Sequence, residues 1–185
     1  MFRFCVALGF VFLGAAALPV SAADENVAAF HLESSVFSPL EDIPELYTCE
    51  GKDIAPPLSW SGAPVGTKSF ALIVDDPDAP DPAAPKKTWV HWVIFNIPAD
   101  VLSLPEGAQP LPAGVIEGLN DWKATGYRGP CPPVGRHRYF FKLYALNAVF
   151  VPQETFDKPK LEKAMNEGHV LGEAELIGIY HLEKR

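Results

Sequence analysis

No run of basic residues, no internal repeat and no low-complexity stretch occurs in this chain of 185 residues. Lys and Arg number 15 against 23 Asp and Glu, a formal net charge of -8. Without a basic cluster there is no counterion release to draw the chain onto nucleic acid, so no nucleic-acid partner is expected. An acidic membrane surface is disfavoured for the same reason. Also missing is a Gly-x-Ser-x-Gly elbow, and serines such as Ser59 and Ser61 carry no signal tying them to a histidine. A hydrolase would therefore lack its nucleophile, and no enzyme is expected. Histidines spaced i, i+4 are absent, and His91 lies 46 positions before His137. That spacing gives no support to a metal site, and neither metal nor cofactor is called for.

Long apolar runs are absent beyond the start of the chain. There, Met1-Phe2-Arg3 leads into an uncharged stretch from Phe4 to Leu18 and then Pro19-Val20-Ser21-Ala22-Ala23. One Arg, an apolar segment short of the roughly 20 residues that a bilayer span wants, and the small-x-small Val20-Ser21-Ala22 describe a secretory signal peptide. The alternative is an uncleaved anchor. Cleavage is expected after Ala22 or Ala23, giving a leader over 1–22 and a single domain over 23–185, exported to a periplasm or secreted, with no stable membrane span. Cys5 sits near the front of the apolar run rather than at the cleavage point, so it is no argument for lipidation. Losing one Arg and no acid would move the charge from -8 to -9. Cys49 and Cys131 then remain. An oxidising compartment allows them to pair, with two buried free thiols as the alternative, and sequence alone does not bring their Cα atoms together.

What the chain has in quantity is punctuation: 19 prolines and 14 glycines separate short apolar segments, which argues against a helical bundle and for a β-rich domain. Strands are predicted over Ala28–Phe37, Ser69–Asp75, Thr88–Ile97 and Arg136–Ala148, with a closing strand over Ala174–Leu182. Asp157 as N-cap, Pro159 near the start, Leu161, Ala164 and Met165 in helical spacing and a stop at Gly168 predict one helix of about three turns. The Pro-rich connections Asp76–Lys87 and Leu104–Ala113 exceed hairpin length and are candidate functional loops.

Three segments could carry chemistry. Asp75-Asp76-Pro77-Asp78-Ala79-Pro80 puts carboxylates at a strand mouth, although Asp-Pro is also ordinary turn chemistry. In Thr88–Asn96, period-two alternation assigns Trp89, His91, Val93 and Phe95 to one face and Val90, Trp92 and Ile94 to the other. A single histidine on such a face is more often a satisfied core residue than a ligand. Gly126-Tyr127-Arg128-Gly129-Pro130-Cys131-Pro132-Pro133-Val134-Gly135 is a stiff loop leading into a strand where His137 and Tyr139 share one face and Arg138 takes the other. Rigid backbone beside an imidazole and a phenol suits a preformed pocket rim, or simply a well-packed crossover.

Taken together, DDPDAP, Trp89-Val90-His91-Trp92 followed by Asn96-Ile97-Pro98, and the segment from Gly126 to Tyr139 resemble the phosphatidylethanolamine-binding family, also called the Raf kinase inhibitor protein family. The likeness is to its bacterial Raf-kinase-inhibitor-like branch. Tyr47 to Gly51, Pro56 to Trp60 and Glu167 to Leu176 are similar to that branch as well, so the match spans nearly the whole of 23–185. The resemblance implies a mainly β fold of two antiparallel sheets with Greek-key connections and a few peripheral helices, and one anion pocket. Carried onto this chain, the ligand-binding residues are Asp76, Asp78, Trp89, His91, Pro132, His137 and Tyr139. Bacterial relatives suggest a homodimer, although Trp60, Trp92 and Trp122 could equally serve the core. Cys131 before the proline pair, a shorter loop before His137 and the insertion Asp81–Lys87 depart from the animal members, whose kinase inhibition and lipid preference therefore do not transfer directly.

In the implied pocket, imidazole N–H groups, a phenol and loop amides could donate to phosphate oxygens while Asp76 and Asp78 repel a bare dianion. A zwitterion such as phosphoethanolamine would resolve the conflict, its ammonium facing a carboxylate. The expected function is thus exported binding of a small anionic or zwitterionic ligand, with a regulatory or inhibitory role. The alternatives are a module reading a phosphorylated or acidic group on a protein, a hydrolase and a metal-binding protein.

Overall fold

Period-two alternation becomes two antiparallel sheets in the computed structural model, which describes residues 29–182; the expected leader lies outside them. The smaller sheet joins β1 (His31–Glu33), β2 (Leu58–Ser61) and β5 (Ser103–Leu104) in the order β1-β2-β5. The larger contains β3 (Ser69–Asp76), β4 (Trp89–Pro98), β6 (Ile116–Glu117), β7 (His137–Leu146) and β8 (Val170–Tyr180), ordered β6-β4-β3-β7-β8. Besides a 3-10 turn at Glu45–Tyr47, the described residues contain one α-helix, α1 (Lys158–Met165), where a few peripheral helices were expected.

The larger sheet is covered on both faces, and its side chains sort accordingly. Phe70, Leu72 and Val74 of β3 and Tyr139, Phe141 and Leu143 of β7 enter the core shared with Leu32, Leu58 and Trp60 of the smaller sheet. Ala71, Ile73, Val93 and Phe95 face the other way and pack with Leu161 and Met165 of α1. Covering both faces removes the polar side of the alternation, which is why β3 is buried at every position.

The helix is shorter than predicted, eight residues rather than three turns. Asp157 caps it by accepting the Lys160 N–H at 3.2 Å, and Gly168 at a φ of 92° leads out of it. β8 begins at Val170, ahead of the predicted Ala174, because the whole of β7 offers it partners, from His137 opposite Tyr180 to Leu146 opposite Val170. Conversely, only His31–Glu33 of the predicted first strand pairs, antiparallel to Ser59–Ser61.

One correction governs the site. The β3–β4 register shifts between Val74, opposite Trp92, and Asp75, opposite Val90, leaving His91 as an extra residue. Such a bulge inverts the alternation beyond it. Val90 consequently packs with Val93 and Phe95, not with Trp92 as the unbroken period implied. Trp89 and His91 are turned to the opposite side, into the cavity where Tyr139 lies.

Candidate functional site

The C-terminal end of β3, the bulged start of β4, the start of β7 and the loop between residues 126 and 135 converge on a cavity of about 320 Å³. Asp76, Trp89, His91, Pro132, His137 and Tyr139 line it, together with Ala79, Pro80, Trp122, Cys131 and Pro133. Six of the seven residues expected at the site are thus brought together, from segments far apart in sequence.

Asp78 is the exception and is not among the lining residues. Its carboxylate accepts the Arg138 N–H at 2.9 Å and grips the guanidinium through Nε at 2.9 Å and Nη2 at 2.7 Å. The bidentate arginine holds the Asp78 carboxyl below the usual carboxylate range. Arg138 points to the opposite face of β7 from His137 and draws the Asp78 side chain after it. The Asp78 N–H still serves the site, donating to Asp76 Oδ1 at 2.8 Å.

Asp76 is itself paired. Its Oδ2 lies 2.7 Å from His137 Nδ1, and His137 Nε2 lies 3.0 Å from the Val134 carbonyl. Both histidine nitrogens are therefore already engaged within the protein, one by a carboxylate and one by a carbonyl. His137 and Asp76 make a buried hydrogen-bonded pair, their side chains 0% and 5% exposed. This weighs against a zwitterion: each carboxylate already has a partner within the protein, Asp76 in His137 and Asp78 in Arg138, so a ligand ammonium meets no unpartnered carboxylate. It also removes His137 as a ready donor to the ligand.

His91 differs. Its Nδ1 lies 2.6 Å from the Arg128 carbonyl, and the Arg128 N–H returns a bond to the His91 carbonyl at 3.2 Å. Because a carbonyl only accepts, Nδ1 carries the proton and the neutral ring turns an Nε2 lone pair to the cavity. Tyr139, perpendicular to it with ring centroids 5.2 Å apart, makes no side-chain hydrogen bond among the described residues. Burial raises the Tyr139 pKa, keeping its hydroxyl protonated. Trp89 adds no polar contact, since its Nε1 is sealed within the protein.

The rim is held from outside. Cys131 is disulfide-bonded to Cys49, with Cα atoms 5.5 Å apart, so the pairing that sequence left open is present. Around it, Cys49 N–H donates to the Pro130 carbonyl at 3.1 Å, Tyr127 hydroxyl to the Tyr47 carbonyl at 3.0 Å and Gly129 N–H to Asp53 Oδ1 at 2.5 Å. A Cβ at Gly129 would stand 2.2 Å from the Tyr47 carbonyl oxygen, which explains the glycine.

Sequence reasoning missed Trp122. It is partly exposed, yet its ring stands 5.3 Å from His91 and 5.2 Å from Trp89, edge to face with both. Asn120 positions it, its side-chain oxygen accepting the Trp122 and Ala124 N–H groups at 3.0 and 3.3 Å. The segment Asn120-Asp121 before an aromatic was the available signal, a side chain suited to hydrogen-bonding its own backbone two residues on. Trp60 and Trp92 do belong to the core. Of the two candidate loops, Asp76–Lys87 supplies Ala79 and Pro80 to the cavity, whereas no residue of Leu104–Ala113 lines it.

Burial also sets the acid response. Removal from water lowers the His91 pKa below its ordinary 6.5, outweighing the Arg128 carbonyl and the carboxylates of Asp76, Asp75 and Asp53. The unfolded chain thus binds a proton at His91 where the folded chain does not. This contribution to stability is complete above about pH 6.5 and is lost as the pH falls. The urea midpoint is expected to drop between about pH 7.5 and 5.5, and His91→Gln to flatten that drop. An unchanged slope in the variant would place the acid sensitivity on other groups.

Two antiparallel sheets with a cavity at the strand ends of the larger one define a β domain with a pocket of small-ligand size. Comparison with known proteins gives that class its name. The family model described as phosphatidylethanolamine-binding protein matches residues 33–181, and the chain belongs to this family. It is 53% identical over 153 residues to the UPF0098 protein of Methanothermobacter thermautotrophicus, covering 81% of this chain and 97% of that one. Among solved structures, a phosphatidylethanolamine-binding protein homologue of Chlamydia trachomatis superposes with a TM-score of 0.77 at 42% identity, covering 84% of this chain and 99% of that chain. Escherichia coli YbcL does so at 0.74 and 34%, covering 84% and 100%.

Proposed function

We propose that the chain is an exported, non-enzymatic binding protein whose cavity takes an oxyanion, a phosphate or phosphomonoester of the phosphoethanolamine-like kind, and that occupancy regulates or inhibits a partner. One observation carries the reading: in a site where Asp76 and His137 satisfy each other and Arg138 holds Asp78, His91 Nε2 and the Tyr139 hydroxyl are left without protein partners among the described residues, against an apolar wall. Polar groups so placed await a ligand. No lining residue other than Tyr139 offers a hydroxyl or free thiol, which supports binding rather than hydrolysis. The Cys49–Cys131 bridge supports an oxidising compartment, in keeping with the leader pattern.

Calorimetric titration with inorganic phosphate tests this. Saturable binding is expected, weakened roughly 10- to 100-fold by His91→Ala, the worth of a hydrogen bond to a charged group. Ethyl phosphate and phosphoethanolamine should bind alike, because no carboxylate is free for the ammonium. A tenfold preference for phosphoethanolamine would reinstate the zwitterion, and flat titrations would refute the anion pocket. Trp122 and Val134, 39% and 50% exposed near the mouth, favour a second reading in which the anionic group is carried by a protein. A phosphopeptide displacing phosphate with higher affinity would establish it.

A further inference from the structure

The hydrogen-bonding pattern of the cavity floor specifies more than an anion. His91 offers an acceptor at Nε2, because the Arg128 carbonyl fixes its proton on Nδ1. Tyr139 offers an O–H. His137, the other imidazole of the site, has both ring nitrogens engaged, at Asp76 and at the Val134 carbonyl. A fully deprotonated oxyanion therefore meets one donor and one lone pair, and the lone pair repels it. A ligand that presents one O–H and at least one bare oxygen meets both groups correctly.

Resting on the anion-binding reading above, we infer that the site takes up its oxyanion together with one proton, held between a ligand oxygen and His91 Nε2, and so selects protonatable tetrahedral anions of the phosphomonoester class over sulfate. The proton comes from solvent and forms an O–H bond on the ligand or an N–H bond on the ring; no bond between heavy atoms forms or breaks. Whether it rests on the oxygen or on the ring, the complex contains one more proton than the separated partners.

The groups facing His91 agree with this. Asp76 approaches from β3, but its carboxylate is engaged by His137 on β7; Tyr139 and Trp122 present a neutral phenol and an indole; Asp53 is turned to the Gly129 N–H; Asp75 lies on the opposite face of β3, bound by Lys142 at 3.0 Å and by Lys158. None of them supplies a mobile proton, so the ligand or solvent must. A phosphomonoester, with a second pKa near 6, is about one-tenth in the required form at pH 7. A carboxylate with a pKa near 4 reaches only about one-thousandth, and sulfate, the conjugate base of a strong acid, less still. Shape does not separate sulfate from phosphate; the proton does.

The test is calorimetry of the protein with ethyl phosphate, whose dianion carries no O–H of its own, and with sulfate, at pH 6, 7 and 8, in two buffers of different ionisation enthalpy. Ethyl phosphate should bind at least about 100-fold more tightly than sulfate at pH 7, with close to one proton taken up per ligand at pH 8 and affinity falling about tenfold from pH 7 to pH 8. His91→Gln, which supplies its own N–H donor, should remove the proton uptake and bring the two anions within a few-fold of each other. Sulfate binding as well as ethyl phosphate to the unaltered protein, or ethyl phosphate binding without proton uptake, would overturn the inference while leaving the anion pocket standing. Failure of both anions to bind would remove the anion pocket and the inference together.

Discussion

His137→Ala is expected to destabilise the protein by about 3–5 kcal/mol, because it strands a buried carboxylate. Asp76 would keep only the Asp78 N–H at 2.8 Å and lose the His137 ring nitrogen 2.7 Å away. The loss should appear as a lowered denaturant midpoint and, at about 2–4 °C per kcal/mol for a chain of this size, as a fall of roughly 6–20 °C in Tm. A double variant, Asp76→Leu with His137→Leu, removes both partners and should lose less than the two single changes added together. A His137→Ala loss under about 1 kcal/mol would show that solvent already shields Asp76 and that the pair is not the sealed unit its geometry indicates.

Removing the disulfide comes second in size. The bridge spans a sequence separation of 82 residues, and closing a loop of that length in the unfolded chain is worth about 4–5 kcal/mol on the chain-entropy account. Cys49→Ser with Cys131→Ser should therefore lower stability by roughly 2–5 kcal/mol, and added reductant should do the same to the unaltered protein but nothing further to the variant. Cys131 also lines the cavity. Phosphate affinity is accordingly expected to fall as the Pro130–Val134 rim gains freedom. Unaltered affinity in a protein of lowered stability would mean that the Gly129–Asp53 and Tyr127–Tyr47 bonds hold the rim by themselves.

Most strand positions could be read from the chain, since β-branched and aromatic runs bounded by Pro, Gly and Asn are local features. Alternation in β7 held, placing His137 and Tyr139 together and Arg138 opposite. It failed in β4, where the bulge at His91 is a property of pairing with β3 and has no signature in β4 alone. Asp78 was drawn into the expected site by its nearness to Asp76, but the partner that claims it, Arg138, lies 60 residues on. Trp122 escaped notice because a lone tryptophan reads equally as core, and only the Asn120 turn sets it against His91.

By itself the sequence determined the β-rich class, the family, the three segments that meet at the cavity and the rigidity of the loop before His137. These follow from side-chain alternation, turn residues and motif order, which are written along the chain. The tertiary structure alone decided which carboxylate faces the cavity, that each already has a partner within the protein, that Cys49 and Cys131 are joined, and which nitrogen of His91 is free. Those outcomes depend on distances of a few ångströms between residues dozens of positions apart, and charge pairing and hydrogen-bond direction change with every such distance.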